Sequence, residues 1–171
     1  MPGVRLQVSG FRKNKTEPNS RDRYHRDNFV EHLLLFSGSL MPESYRDLIA
    51  WQKAKSLALD VYRCTRRFPK DEMYGLISQM RRAAVSVPSN IAEGKGRHSH
   101  RELVHLLYQS RGSLLELETQ LSIARDLEYI EQPVFASLES QTEELGRILN
   151  GLINRFQTPA QRFSWNLRPA T

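Results

Sequence analysis

Cysteine is nearly missing from this 171-residue chain: Cys64 stands alone, so no intramolecular disulfide can form, and the composition fits a reducing cytoplasm. Long apolar runs are missing as well. A membrane-spanning helix needs about 18 apolar residues or more, and the longest run, Phe29 to Phe36, is interrupted by Glu31 and His32. That run is also a poor secretory core, because no small-residue cleavage site follows it closely. Neither a Walker loop nor a Gly-x-Gly-x-x-Gly pattern occurs, and Gly94-Lys95-Gly96 by itself is too little to cradle a phosphate. Little in the chain alternates in the manner of a strand. These absences argue against a secreted disulfide scaffold, a membrane protein and a nucleotide-dependent enzyme.

Charge is present in quantity, with a net of +6 and a pI near 9.7, a balance that invites a nucleic-acid reading. Its distribution tempers that reading. Residues 1–40 hold 7 basic and 4 acidic residues, and residues 158–171 hold 2 basic and none acidic, so most of the excess lies in the ends. Between them the charge is polarised: residues 46–111 carry 13 basic against 6 acidic, and residues 112–157 carry 3 against 8.

Four stretches have helical periodicity. The first is predicted from about Arg46 to Arg67, with Leu48, Trp51, Ala54, Ala58, Val61, Thr65 and Phe68 on one stripe, Ser44 or Asp47 placed to cap it, and Pro69 to stop it. The second begins near Asp71 as N-cap, with Glu72 in the first turn and a stripe of Met73, Leu76 or Ile77, Met80, Ala84, Val87 and Ile91. Pro88 falls inside it and removes the hydrogen bond to the Ala84 carbonyl. The stripe keeps its register through Ile91, which predicts a kinked helix ending at Gly94, then a loop over Gly94 to His98. Ser99 and Glu102 have capping-box spacing. After them Leu103, Leu107, Ser110, Leu114, Leu117, Leu121 and Ala124 alternate steps of four and three, a heptad seam that Leu106 and Leu115 widen. The fourth helix is predicted from Pro133 through Leu138, Thr142, Leu145, Ile148 or Leu149, Leu152 and Phe156. Long helices with short connections pack as neighbours of opposite direction, so the expected fold is all-α, an antiparallel up-down-up-down four-helix bundle over residues 44–157.

The ends read differently. Residues 1–43 are expected to be a disordered N-terminal extension, with a short helix of low stability at Phe29–Phe36, and residues 158–171 a C-terminal tail. Met41-Pro42 precedes the first clear helix, so translation is expected to be able to begin at Met41, leaving residues 1–40 optional.

Two segments carry a resemblance. Tyr45 through Ala54 (YRDLIAWQKA) and Arg81 through Gly94 (RRAAVSVPSNIAEG) resemble the four-helix proteins encoded by intervening sequences within bacterial 23S ribosomal RNA genes, and the likeness covers about residues 44–157. It is similar, more distantly, to the accessory protein of diversity-generating retroelements. The resemblance implies antiparallel four-helix subunits in a ring-shaped homopentamer; in the retroelement relatives such a ring binds nucleic acid on a basic surface and docks a reverse transcriptase. The segment Ser86 to Ile91 fits the intervening-sequence branch better, a branch whose biochemical role is largely unassigned. Residues 1–40 and 158–171 inherit nothing from the likeness.

Candidate constellations are few. The basic residues Arg63, Arg66, Arg67 and Lys70 gather at the end of the first helix, with Arg81 and Arg82 in the second. Lys95, Arg97 and Arg101 gather at the opposite end of the bundle. Phosphate contacts, subunit salt bridges and helix-dipole stabilisation all account for them. Ser86, Asn90 and Glu93 flank Pro88 and are expected to hydrogen-bond backbone groups freed by the kink, the alternative being an oligomer contact or a small polar site. Glu102-x-x-His105 matches one quarter of a di-iron bundle site, but it occurs once and Glu102 is assigned to the capping box, so no metal, cofactor or catalytic residue is expected. Cys64 is expected to be a buried structural thiol. Leu59, Tyr62, Leu106, Leu115 and Ile123 exceed what one core must bury, which points to self-association. The expected function is a non-enzymatic, cytoplasmic homo-oligomeric scaffold, binding RNA or DNA through phosphates or else acting as a protein-protein adaptor, with no membrane partner.

Overall fold

The computed structural model describes residues 43–157. The expectations for the N-terminal extension, for Phe29–Phe36 and for the C-terminal tail lie outside the described residues. Among the described residues there are four α-helices and no strand: α1 (Ile49–Cys64), α2 (Leu76–Gly96), α3 (His100–Asp126) and α4 (Gln132–Phe156).

Each helix boundary has a local cause. Ser44 does cap, but it caps a 3-10 turn over Tyr45–Asp47, its hydroxyl accepting from the Arg46 amide at 3.2 Å. Leu48 then lies extended, so α1 starts later than predicted, at Ile49. At the other end the chain tightens into a second 3-10 turn, Thr65–Arg67, and Phe68 is extended (φ −69°, ψ 155°), as the residue before a proline must be.

The start predicted for α2 is corrected. Asp71 is no N-cap; Lys70–Met73 form a 3-10 turn, and Gly75, with ψ −122°, precedes the first helical residue. Glu72 is the capping group instead, its Oε2 accepting from the Leu76 amide at 2.9 Å. A Cβ on residue 75 would lie 2.5 Å from that oxygen, so glycine is what leaves room for the carboxylate. Met73 accordingly leaves the core and is 48% exposed.

Through Pro88 the helix continues, as its register required, and ends at Gly96. The loop predicted over Gly94–His98 shrinks to residues 97–99, because Gly94 is a packing residue. A Cβ there would meet Leu103 Cδ1 at 3.1 Å and Leu106 Cβ at 3.2 Å, so a larger residue would have to push α3 away by a few tenths of an ångström, and glycine makes this approach without that shift. The capping box is not formed: Ser99 occupies the N-cap position without a side-chain bond, and Glu102 is exposed.

All seven residues of the α3 seam are buried, none more than 6% exposed. The α3–α4 turn is closed by Tyr129 N donating to Ala124 O at 2.9 Å and Glu128 N to Arg125 O at 2.8 Å, with Glu128 in the left-handed region at φ 60°. This is the Schellman pattern, here without the usual glycine. Pro133 takes the first turn of α4, and Phe135 and Ile153 join the predicted stripe in the core.

Helix α2 packs on α1 and α3, and α4 packs on α3 and α1, enclosing one apolar core. Polar ties cross it. Lys53 Nζ bonds Glu144 at 2.8 Å, Gln141 donates to Asp60 at 3.3 Å, and Ser110 Oγ donates to the Val87 carbonyl at 3.0 Å.

Two stability measurements follow. Glu128→Gly relieves the left-handed strain and is expected to raise stability by about 1 kcal/mol in chemical denaturation. Leu114→Asp places a carboxylate at a site 1% exposed, and an expected loss of about 4 kcal/mol or more should appear in the same assay.

Candidate functional site

The nine basic candidates fall into two groups, because α2 places about 20 Å of helix between Arg82 and Lys95. At one end Arg81 Nε donates to Thr65 Oγ1 at 2.9 Å, Phe68 meets Tyr129 with ring centroids 5.4 Å apart, and Tyr129 reaches Glu72. The end of α1, the start of α2 and the α3–α4 turn therefore meet here. At the other end His100 and Phe156 have ring centroids 5.3 Å apart, joining the α2–α3 turn to the last turn of α4.

In the first group Arg63 is ion-paired with Asp60 at 2.7 Å, and Arg81, besides its bond to Thr65, lies 4.9 Å from the Tyr62 ring centroid. Both have structural duties. Arg66, Arg67, Lys70 and Arg82 are exposed and form no ion pair with another described residue. In the second group Arg97 is paired with Glu93, whereas Lys95 and Arg101 form no such pair. Sequence reasoning missed two members of this second end. Arg155 lies over Phe156, 5.8 Å from its ring centroid, and Arg46 lies over Tyr45 at 5.0 Å in the turn packed on α2. They lie far from residues 95–101 in the chain, so no local pattern could have revealed them.

The duty expected of Ser86 and Asn90 beside Pro88 is corrected. Ser86 Oγ accepts from Asn90 Nδ2 at 3.2 Å and from Ser113 Oγ at 3.0 Å, a side-chain tie between α2 and α3. Backbone carbonyls beside Pro88 are served by others: Ser89 Oγ donates to Val85 O at 2.8 Å, and Ser110 Oγ to Val87 O. Ser86 and Asn90 lie on the flank of α2 that meets α3, so Ser113 becomes their partner. Glu93 is occupied by Arg97.

A groove of about 440 Å³ lies between the end of α1 and the start of α4, lined by Arg63, Cys64, Arg67, Tyr129, Val134 and Leu138 among others. Cys64 is half-buried, and desolvation pushes its thiol pKa above the usual value although Arg67 acts in the opposite direction. It is a weak nucleophile in this setting. A second groove, about 190 Å³, opens between α3 and α4, floored by Leu121 and Phe135 and rimmed by Glu118, Glu139 and Glu143. Burial raises the Glu118 carboxyl pKa, and the Glu143 charge adds to the rise. His105 is exposed and meets Gln109, and no group of three His, Cys, Asp or Glu side chains able to hold a metal ion occurs among the described residues. No helix of the described residues is long and apolar enough to cross a membrane.

A four-helix, all-α protein with its charge divided between helices, and with the two sequence segments quoted above set in α1 and α2, defines a recognisable class. The chain belongs to the 23S rRNA-intervening sequence protein family, whose model matches residues 46–151. Among solved structures, it is similar to a protein of unknown function from the S23 ribosomal protein family of Bacteroides thetaiotaomicron, determined at 1.70 Å. The two share 19% identity over 61% of this chain and 98% of that one, with a TM-score of 0.56, a likeness of fold. Among curated proteins, none matches the sequence.

The raised thiol can be checked directly, since Cys64 is the only cysteine. The midpoint of its iodoacetamide labelling rate against pH is expected to lie above that of the urea-unfolded chain.

Proposed function

We propose that this protein is a non-enzymatic homo-oligomeric scaffold, a ring of antiparallel up-down-up-down subunits numbering five, that holds RNA or DNA by its phosphates at one end of each bundle. The antiparallel reading is supported for α2 and α3 by paired contacts: Ser113 with Ser86, Ser110 with Val87 and Leu103 with Gly94 rise along one helix as they fall along the other. The number five comes from the family resemblance. The setting is the cytoplasm, which the lone cysteine fits.

The observation that carries the nucleic-acid part is the gathering of Lys95, Arg97, Arg101, Arg46 and Arg155 at the end where the α2–α3 turn meets the last turn of α4. One subunit presents a modest field there, since Glu43, Asp47, Glu93 and Glu102 are close in sequence. Repetition around a symmetry axis multiplies it without new residues. Self-association itself is supported by apolar side chains left in solvent. Of the five surplus residues, Leu106 is taken into the core against Gly94, while Leu59, Tyr62, Leu115 and Ile123 stay 40–50% exposed.

Binding of single-stranded RNA by the full chain is expected to weaken steeply with salt and to show little sequence preference. Lys95→Gln/Arg97→Gln/Arg101→Gln should lower the slope of log K against log salt by about 2, at roughly 0.7 per phosphate contact, with the oligomer intact. Salt-independent binding, or a partner retained after nuclease treatment, would favour a protein-protein adaptor instead.

A further inference from the structure

Among the described residues, two outer faces of the subunit have no element covering them, and their chemistry is opposite. Because α2 packs on α1 and α3 while α4 packs on α3 and α1, the α1–α2 face and the α3–α4 face lie on opposite sides of the molecule. The α1–α2 face has an apolar centre of Leu59 (49% exposed), Tyr62 (40%) and Val85 (43%). Arg81 bridges the two helices across the Tyr62 ring, Arg66 follows Tyr62 by one turn, and Arg82 lies three residues before Val85. The opposite face has the α3–α4 groove with Leu115, 50% exposed, one turn before Glu118. Its rim is Glu118, Glu139 and Glu143; the first two form no ion pair with another described residue, and Glu143 meets only Arg147 at 3.8 Å in an exposed pair.

We infer that the α1–α2 face of one copy docks on the α3–α4 face of the next, with Leu59, Tyr62 and Val85 against Leu115 and the groove floor, and Arg66 and Arg82 against Glu118, Glu139 and Glu143. This rests on the self-association proposed above and names the surfaces that perform it. Like faces repel, so the two-fold arrangement that pairs a face with itself is disfavoured. Unlike faces on opposite sides of one body generate a head-to-tail series, which closes as a ring when the rotation per step permits. The carboxylates held together on the groove rim gain most from it: a guanidinium from the neighbour offsets the burial and the Glu143 repulsion that together raise the Glu118 carboxyl pKa. The assignment also separates two duties among the basic residues. Arg66, Arg81 and Arg82 belong to the subunit contact, and Lys95, Arg97 and Arg101 remain at the bundle end for phosphates.

The experiment uses the full chain and sedimentation velocity. One variant reverses the basic face (Arg66→Glu/Arg82→Glu) and another the acidic face (Glu118→Lys/Glu139→Lys/Glu143→Lys), each checked for helix content. Each alone is expected to sediment as a monomer, and an equimolar mixture is expected to sediment as multimers again, since alternation of the two variants joins opposite charges at every junction but the one that a ring of five leaves over. Either variant keeping the wild-type mass, or monomers that fail to recombine on mixing, overturns the assignment while leaving self-association standing. A monomeric wild type overturns both. Should a reversal variant fail to fold, Arg82→Cys/Glu143→Cys in a Cys64→Ser background decides the matter. Oxidation is expected to give a ladder of covalent multimers, and an unlinked chain overturns the inference.

Discussion

The close approach of α2 to α3 is the constraint on which the rest of the molecule depends. Gly94 brings the two backbones together over Leu103 and Leu106, and the Ser86–Ser113 and Ser110–Val87 bonds hold them in one register. With that register set, the seven-residue seam of α3 faces inward along its whole length, and α1 and α4 find apolar surface to cover. Burial of the five leucines of the seam outweighs any single cap or ion pair, because each fully buried leucine contributes about 1.5–3 kcal/mol and exposed pairs contribute about 0–1 kcal/mol.

Most of this was legible in the residues before the fold was known. The α3 seam alternates so strictly that its inward face needed no further information, and the stripe through Pro88 required α2 to continue. Three local expectations failed for one reason: the composition named plausible partners that geometry gave to others. Asp71 has the chemistry of an N-cap, but Gly75 breaks the backbone, and Glu72 reaches past it. Gly94 reads as a loop residue until α3 is seen against its missing side chain. Ser99 and Glu102 have the spacing of a capping box, yet Ser99 forms no side-chain bond.

The candidate site was legible only in part. Grouping the basic residues into two ends followed from helix length alone. Arg46 and Arg155 were invisible, because their neighbourhood is made by elements at the extremes of the bundle sequence. The contrast between a basic first half and an acidic second half was visible as a count, but its meaning depended on topology. Only when α1 and α2 share one side and α3 and α4 the other does a difference along the chain become a difference across the body.

The proline in α2 has a consequence for how the molecule is put together. A helix that contains Pro88 has little reason to continue past it in isolation, since its own hydrogen-bond ladder is interrupted there. The Val87 carbonyl, one residue before the proline, accepts in addition from Ser110, a residue of another helix. The segment around Pro88 is thus tied to a neighbouring helix by a bond its own ladder does not supply. The stretch from Pro88 to Gly96 and the first half of α3 should gain and lose order together, as one cooperative unit, while the first half of α2 retains a separate helical ladder.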